Sequence, residues 1–216
     1  MTKIVIFMLP VILTKDLFHK DIRVIIEEPK FVKGNVTPKE LIIICKLIKI
    51  YRPNRIFEFG TFDGRTTLNM ALNSKALSKI YTLDLPSSEI NNTKFPPDAR
   101  DYKYILKEKS GSRFSNRKDI KNILQLYSDS ATFNYLPYKG KIDFIFVDGG
   151  HSIEHVRNDT QASFYMLKSN GVILWHDYGT RRSVNTVLDE YFQNDVRFKN
   201  IYTIDGTTLV LLEVNK

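Results

Sequence analysis

The stretch RIFEFGTFDGRTT, residues 55–67, has the order of strand, turn and helix that decides the fold of this chain. Its first five residues predict a short buried strand, and Gly60 and Gly64 then mark a turn. Glycine lacks Cβ, so it suits a backbone that must bend sharply or let a ligand approach. The helix that follows would direct its free N–H groups towards the turn. This stretch therefore predicts a nucleoside-binding crevice at the carboxyl end of a strand.

A second strand, KIYTLDL at residues 79–85, ends in the acid Asp84. A carboxylate at the end of the second strand of a βαβ unit is placed to bind a pair of ribose hydroxyls. The glycine pair alone is weak evidence, because the third glycine of the dinucleotide fingerprint is absent. A tight strand–helix turn without any ligand stays open as an alternative at this point.

The remaining segments alternate between apolar strands and amphipathic helices, and two apolar runs around Asp205-Gly206 predict a closing hairpin. We therefore predict an α/β fold: a Rossmann-like three-layer sandwich with a mostly parallel seven-stranded sheet and a C-terminal antiparallel hairpin. The further strands are expected at 122–127, 142–148, 172–175, 201–204 and 208–214, and the main helices at 38–51, 152–168 and 183–193.

With 216 residues, of which 43% are hydrophobic, the chain suits a single domain over 1–216. Residues 1–36 form an N-terminal arm before the helix that Thr37 caps. Residues 86–120 are rich in proline, asparagine and charge, and we interpret them as an insertion on the rim of the crevice.

No apolar run reaches the length of a membrane span. Pro10 interrupts the apolar run 4–13 and no cleavage site follows it, so we expect a terminal strand or a surface-packing arm and not a secretory signal. The single cysteine, Cys45, excludes an intramolecular disulfide and suits a reducing compartment. We expect a cytoplasmic protein and a buried thiol without chemistry.

The net charge of +8 is concentrated in residues 1–56 and 86–126. We do not expect nucleic acid as a partner, because no stripe interleaves aromatic side chains with arginine. An anionic small-molecule acceptor is the alternative that the charge favours, with Arg100 and Arg113 as candidate contacts. The apolar arm also suggests a homo-oligomer.

Chemistry-bearing side chains follow each predicted strand, and open parallel sheets bind ligands at those ends. Any one of them alone would be interpreted as a helix cap or a solvated loop residue. Together they predict a functional rim. The acids and histidines are Glu58, Asp63, Asp84, Asp129, Asp148, His151, His176 and Asp177.

Four motifs, EFGTFDGRTT, YTLDLP, FVDGGH and GVILWHDY, occur in an order and spacing that resembles the class I S-adenosylmethionine-dependent methyltransferases. Within that class, the chain is similar to small-molecule O-methyltransferases of the catechol and macrolide-sugar type. The resemblance covers roughly residues 33–214 and leaves the arm and most of the rim insertion unmatched.

The resemblance implies a site for the cofactor. Glu58 and Gly60 would lie against its methionine part, with Asp63 nearby, and Asp84 would accept hydrogen bonds from both ribose hydroxyls.

Ser128 and Asp129 would lie beside the adenine, and Asp129 would accept from its exocyclic amine. Gly34 and Asn35 resemble the segment that closes over the cofactor. Asp148 belongs to both the cofactor site and the metal site.

The metal-dependent relatives imply a divalent ion, Mg²⁺ or Mn²⁺, at Asp148, His176 and Asp177. An acid is usual where this chain has His176, and Mg²⁺ prefers oxygen ligands. Imidazole with two carboxylates suits Mn²⁺, Fe²⁺ or Zn²⁺ better. Direct contact between His176 and the acceptor is the alternative.

His151 matches the histidine proposed as general base in the sugar-methylating relatives. An imidazole near neutral pKa can take the proton that a hydroxyl nucleophile loses. The alternative is a helix N-terminal residue that hydrogen-bonds to the backbone.

The sequence thus predicts an enzyme that transfers a methyl group from S-adenosylmethionine to a hydroxyl of a small molecule, either with or without assistance from a divalent metal. An NAD-dependent oxidoreductase and a nucleotide-binding protein without catalysis are the alternatives.

Overall fold

The computed structural model describes residues 9–214, and its strands form one sheet in the order β1-β7-β8-β6-β5-β2-β3-β4. The part of the expected arm over residues 1–8 lies outside the described residues. The strands are β1 (Val11–Ile12), β2 (Arg55–Phe59), β3 (Lys79–Asp84), β4 (Ile123–Tyr127), β5 (Ile142–Val147), β6 (Leu167–Trp175), β7 (Ile201–Ile204) and β8 (Val210–Glu213).

All neighbouring strands run parallel except β8, which runs antiparallel to both β6 and β7. The predicted Rossmann-like sheet with a C-terminal antiparallel hairpin is confirmed. The described residues contain eight strands and not the expected seven, because the arm adds β1 to the outer edge of β7. There the N–H groups of Thr203 and Asp205 donate to the carbonyls of Pro10 and Ile12, at 2.8 and 3.0 Å.

Helices cover both faces of the sheet. They are α1 (Thr14–Leu17), α2 (Pro38–Tyr51), α3 (Arg65–Asn73), α4 (Tyr102–Ile105), α5 (Ile153–Met166) and α6 (Arg182–Asn194). The predicted capping box of α2 is present, since Thr37 accepts from the N–H of Glu40 and the Glu40 carboxylate accepts from the N–H of Thr37. Among the described residues, no helix combines the length and the apolarity that a membrane crossing requires.

The core explains why the central strands are almost continuously apolar. Phe57 and Phe59 of β2 pack in one cluster with α5 and α6, while Ile56 packs in the other cluster with α2 and α3. Side chains of a strand alternate between the two faces of the sheet, and here helices cover both faces. Because β2, β3, β5 and β6 run parallel, their carboxyl ends lie together at one edge of the sheet.

The rim insertion, residues 86–120, contains a 3₁₀ turn over Ser87–Asn92 and the short helix α4. It is anchored to the loops at the carboxyl ends of the strands. For example, the N–H groups of Gly111 and Arg113 donate to the carbonyls of Phe62 and Asp63, each at 2.9 Å. The insertion therefore lies against the site that the strand ends form.

Candidate active site

A cavity of about 240 Å³ opens at the carboxyl ends of the strands. Ten of the twelve predicted site residues line it, although they come from segments far apart in the sequence. Glu58 and Asp63 are not among the lining residues. The ten are Gly34, Asn35, Gly60, Asp84, Ser128, Asp129, Asp148, His151, His176 and Asp177.

The glycine turn after β2 is shaped by close approach of the chain to itself. Gly60 has a φ of +84°, and a Cβ there would lie 2.1 Å from the carbonyl oxygen of Asp148. Gly64 has a φ of +85°, and a Cβ there would lie 2.5 Å from the ring of Phe114 in the rim insertion. Both glycines are therefore required by the packing of the loops that enclose the cavity, independently of any ligand.

Glu58 lies beneath this turn and is 1% exposed. Its carboxylate accepts from the hydroxyls of Thr67 and Thr82, the second at 2.6 Å. Burial raises the pKa of Glu58 to about 8, against the smaller lowering effect of the two threonines. The side chain thus joins β2, β3 and α3 below the predicted methionine pocket.

Asp63 holds neighbouring parts of the cavity wall. It accepts from the amide of Asn35 at 3.1 Å, from the N–H of Arg65 at 3.0 Å and from the guanidinium of Arg113 at 3.2 Å. Asn35 in turn lines the cavity. Asp63 therefore fixes the segment that was expected to close over the cofactor.

Asp84, at the end of β3, uses one carboxylate oxygen to bind the rim insertion. Its Oδ2 lies 2.8 Å from Nζ of Lys107 and also accepts from the hydroxyl of Ser110. Among the described residues, no donor hydrogen-bonds to Oδ1. A carboxylate has about four acceptor positions, so Asp84 retains capacity for a diol.

Asp129, after β4, is held by two backbone N–H groups. Ala131 and Lys94 each donate to it at 2.8 Å, and Lys94 belongs to the rim insertion. Ser128 lies beside it in the cavity wall. The carboxylate is thereby fixed in one orientation at the end of the cavity next to β4.

His151 contacts acids with both ring nitrogens. Nδ1 lies 2.9 Å from Oδ1 of Asp101, and Nε2 lies 2.8 Å from Oδ2 of Asp177. Burial lowers the pKa of His151, but the two carboxylates outweigh that effect and raise it to about 9. Carboxylates only accept, so this arrangement holds a doubly protonated imidazolium at neutral pH.

His176 is likewise enclosed by acids. Its Nδ1 lies 3.0 Å from Asp148, and its Nε2 lies 3.3 Å from Glu40 at the start of α2. Burial opposes the charge of His176, but Asp148 and Glu40 raise its pKa well above the ordinary value. In return, His176 lowers the pKa of Glu40 against the effect of burial.

One group of three side chains in the described part of the chain has the arrangement of a metal site. Ligand atoms of Asp148, His151 and Asp177 all lie within 4.8 Å of one another. His176, the ligand expected from the sequence, is not in this group, although its Nδ1 lies 3.0 Å from Asp148 and 3.6 Å from Asp177. Its role as a ligand stays a prediction.

Several residues of the cavity or its wall were not expected from the sequence. Asp101 and Lys107 belong to the rim insertion, which has no periodic pattern to place them. The sequence predicted Glu40 only as part of a helix cap, although its carboxylate also contacts His176. Arg181 and the buried acid Asp159 line the cavity without any motif of their own.

Comparison with known proteins identifies the fold and the family. Residues 57–178 match the family model described as a methyltransferase domain, which is more than half of the chain. The chain belongs to this methyltransferase family. The resemblance that the four motifs carry is confirmed. No curated protein matches the sequence.

Solved structures agree with this methyltransferase fold. Podospora anserina methyltransferase PaMTH1 bound to S-adenosylhomocysteine is 15% identical, with a TM-score of 0.62 over 85% of this chain and 80% of that chain. The O-methyltransferase from Bacillus cereus in complex with S-adenosylhomocysteine is 14% identical, with a TM-score of 0.56 over 86% and 84%. The O-methyltransferase TomG from Streptomyces achromogenes, involved in tomaymycin synthesis, is 13% identical, with a TM-score of 0.53 over 84% and 82%. At these identities, the likeness establishes the fold.

Proposed function

We propose that this methyltransferase transfers a methyl group from S-adenosylmethionine to a hydroxyl of a small molecule. The observation that carries the proposal is the convergence of Asp84, Asp148 and His151 on one cavity. A ribose-binding acid and a proton acceptor must face the same bound cofactor for this chemistry. Had these side chains opened onto different surfaces, the proposal would have had no site.

The proposed cofactor site extends along the strand ends. Oδ1 of Asp84 would accept from the ribose hydroxyls, while Ser128 and Asp129 would lie beside the adenine. Gly60 and Asn35 would border the methionine part. The acids in the cavity wall favour a cofactor that carries a positive sulfonium, because opposite charges attract strongly in a partly buried site.

The proposed reaction is an in-line displacement at the methyl carbon. The acceptor oxygen forms a bond to this carbon, the carbon–sulfur bond breaks, and its electron pair stays on sulfur as S-adenosylhomocysteine forms. The hydroxyl proton passes to Nε2 of His151, which must first be neutral. Because the pKa of His151 is raised to about 9, we expect kcat to increase as the pH rises from 7 towards 9.

A divalent cation also fits the site, since Asp148, His151 and Asp177 supply two carboxylates and an imidazole. Such a mixed donor set suits Mn²⁺, Fe²⁺ or Zn²⁺ better than Mg²⁺. When bound, the ion would lower the pKa of the acceptor hydroxyl. With the ion bound, Asp148, His151 and Asp177 would all be its ligands, and His151 would not act as the base.

The charges at the rim do not define the acceptor. Arg100 is paired with Asp98 at 2.8 Å, and Arg113 is paired with Asp63 and Glu28. Both candidate arginines are therefore already matched by carboxylates. The proposed acceptor is defined by its hydroxyl, and acidic compounds belong in the test panel beside neutral ones.

The test measures methyl transfer from labelled S-adenosylmethionine to a panel of phenols, catechols, sugars and their acidic derivatives, with and without each divalent metal. His151→Ala is expected to lower kcat by roughly 10²- to 10⁴-fold, the range for losing a general base. Binding of S-adenosylhomocysteine should be retained. His19→Ala, at an exposed histidine, is the matched control and should leave both unchanged.

The alternatives predict other results. An oxidoreductase would bind NAD and reject S-adenosylhomocysteine. A binding protein without catalysis would bind S-adenosylhomocysteine and methylate none of the panel compounds. Either result would overturn the proposal.

A further inference from the structure

The rim insertion contributes an acid to the site that none of the four motifs contains. Asp101 precedes α4 and is 4% exposed. Its neighbours in the insertion, Tyr104 and Ile105, line the cavity, and their N–H groups donate to the carbonyl of Asp101 at 2.8 and 3.0 Å. Asp101 therefore connects this wall of the cavity to His151, the residue that its carboxylate binds.

Both oxygens of Asp101 bind the same residue, His151. Oδ2 accepts from the backbone N–H of His151 at 2.9 Å, and Oδ1 lies 2.9 Å from its ring nitrogen Nδ1. Two contacts, one to the main chain and one to the ring, fix the side-chain torsions as well as the position of the residue. The hydroxyl of Ser183 also donates to the carbonyl of His151, which holds the main chain from the other side.

This arrangement determines which ring nitrogen can act as the base. Because a carboxylate can only accept, Nδ1 must carry a proton and cannot serve as the base. Nε2 lies on the opposite side of the ring, 2.8 Å from Asp177, and it also carries a proton in the imidazolium. Nε2 is the nitrogen that must release its proton before His151 can act as the base. Arg181 donates to Oδ1 of Asp101 at 3.3 Å and so compensates the buried charge of the acid.

We propose that Asp101 is a positioning residue for methyl transfer, which holds the ring of His151 with Nδ1 protonated and Nε2 on the side of Asp177. The inference rests on the proposed function of His151 and adds that the rim insertion is part of the catalytic apparatus. A histidine that is held in one orientation loses less entropy when it reaches the reactive geometry. Loss of Asp101 should therefore slow the reaction without weakening cofactor binding.

The first test observes the contact directly in the full-length protein with bound S-adenosylhomocysteine. In protein labelled with ¹⁵N-histidine, the Nδ1 proton of His151 should give a downfield signal that exchanges slowly with water. Asp101→Asn should shift or abolish this signal, and Asp98→Asn should not. Asp98 is the matched control, because it lies in the same insertion and pairs with Arg100 instead.

The second test is kinetic, with the panel compound that the wild-type protein methylates fastest. Asp101→Asn should lower kcat by roughly 10- to 100-fold, by analogy with the loss of a carboxylate that orients a metal-bound histidine. The acceptor KM and the Kd of S-adenosylhomocysteine should change by less than about 2-fold. If Asp101 only supported the structure of the site, its substitution would change both constants.

Three results would overturn the inference: no protected Nδ1 signal in the wild-type protein, an unchanged signal in Asp101→Asn, or an unchanged kcat in that variant. The wild-type signal tests the contact between Asp101 and Nδ1 even if Asp101→Asn does not fold. A wild-type protein that shows the signal but methylates no compound would instead contradict the proposed function.

Discussion

Glu58 shows how one side chain can support the site without lining it. It follows Ile56 by two positions in β2, so the alternation of the strand turns it towards the α2 and α3 face of the sheet. There it accepts from Thr67 and Thr82. Because burial raises its pKa to about 8, Glu58 carries a proton in the folded protein at neutral pH.

This protonation predicts a dependence of stability on pH. The unfolded chain releases the Glu58 proton near pH 4.5, whereas the folded protein keeps it until about pH 8. The folded state therefore binds more protons than the unfolded state between these pH values. The contribution of Glu58 to the free energy of unfolding decreases as the pH rises through this window. Glu58→Gln removes this dependence, so the variant should gain stability relative to the wild type from pH 4.5 to 8.

Urea denaturation of both proteins at several pH values measures this difference. Glu108→Gln, at an exposed acid in the rim insertion, is the matched control and should follow the wild type. A constant difference between Glu58→Gln and the wild type across the window would show that Glu58 is ionised in the folded protein.

Among the elements, the rim insertion departs furthest from what the sequence indicated. Its prolines and charges predicted a surface segment, but in the structure it contacts four acids or histidines of the site. Lys94 binds Asp129, Asp101 binds His151, Lys107 binds Asp84, and Arg113 binds Asp63. These contacts join residues distant in sequence and follow no period, so no local pattern could have placed them.

The pair between Lys107 and Asp84 carries a prediction, because both side chains are only about one-tenth exposed. Removing one partner leaves a desolvated charge uncompensated, whereas removing both does not. We expect Lys107→Met to destabilise the protein by about 1–3 kcal/mol. The double variant with Asp84→Asn should be more stable than Lys107→Met alone.

A double-mutant cycle by thermal and urea denaturation measures this coupling. Lys103→Met is the control, since the Lys103 ammonium lies over the ring of Tyr104 and the side chain is exposed. Additive effects of Lys107→Met and Asp84→Asn would contradict the ion pair.

Helix α3 holds the N-terminal arm through a row of polar side chains one turn apart. Asn73 exchanges two hydrogen bonds with the backbone of Ile25, and Asn69 does the same with Glu27. The buried guanidinium of Arg65 donates to the carbonyls of Glu28, Pro29 and Val36. The amides thus pair with an extended segment as a neighbouring strand would, and they fix the arm before Gly34 and Asn35.

We expect Asn69→Ala to lower the free energy of unfolding by about 1–3 kcal/mol, since it leaves the N–H and carbonyl of Glu27 without partners. Asn91→Ala, at an exposed asparagine in the rim insertion, is the matched control and should cost less than about 0.5 kcal/mol. Equal effects of the two substitutions in urea denaturation would show that the hydrogen bonds of Asn69 to the arm add nothing to the free energy of unfolding.

At the scale of the whole molecule, the sequence predicted what depends on local pattern. The apolar runs of β2, β5 and β6 predicted buried strands, and the acids after them predicted one shared edge. The pairing of β1 with β7 could not be predicted in the same way, because two residues carry no periodicity. The homo-oligomer and the cytoplasmic location stay predictions, and exposed Val11 and Leu13 are where a second copy would first be sought.

The central claim is that one cavity at the strand ends binds the cofactor through Asp84. Isothermal titration with S-adenosylhomocysteine tests it most directly, with the wild type, Asp84→Asn and the matched control Asp119→Asn, whose carboxylate pairs with Arg117 in the rim insertion. We expect wild type and control to bind one molecule per chain, and Asp84→Asn to bind roughly 10- to 100-fold more weakly, as for a lost hydrogen bond to a charged group. Failure of the wild type to bind, or wild-type affinity in Asp84→Asn, would contradict the account.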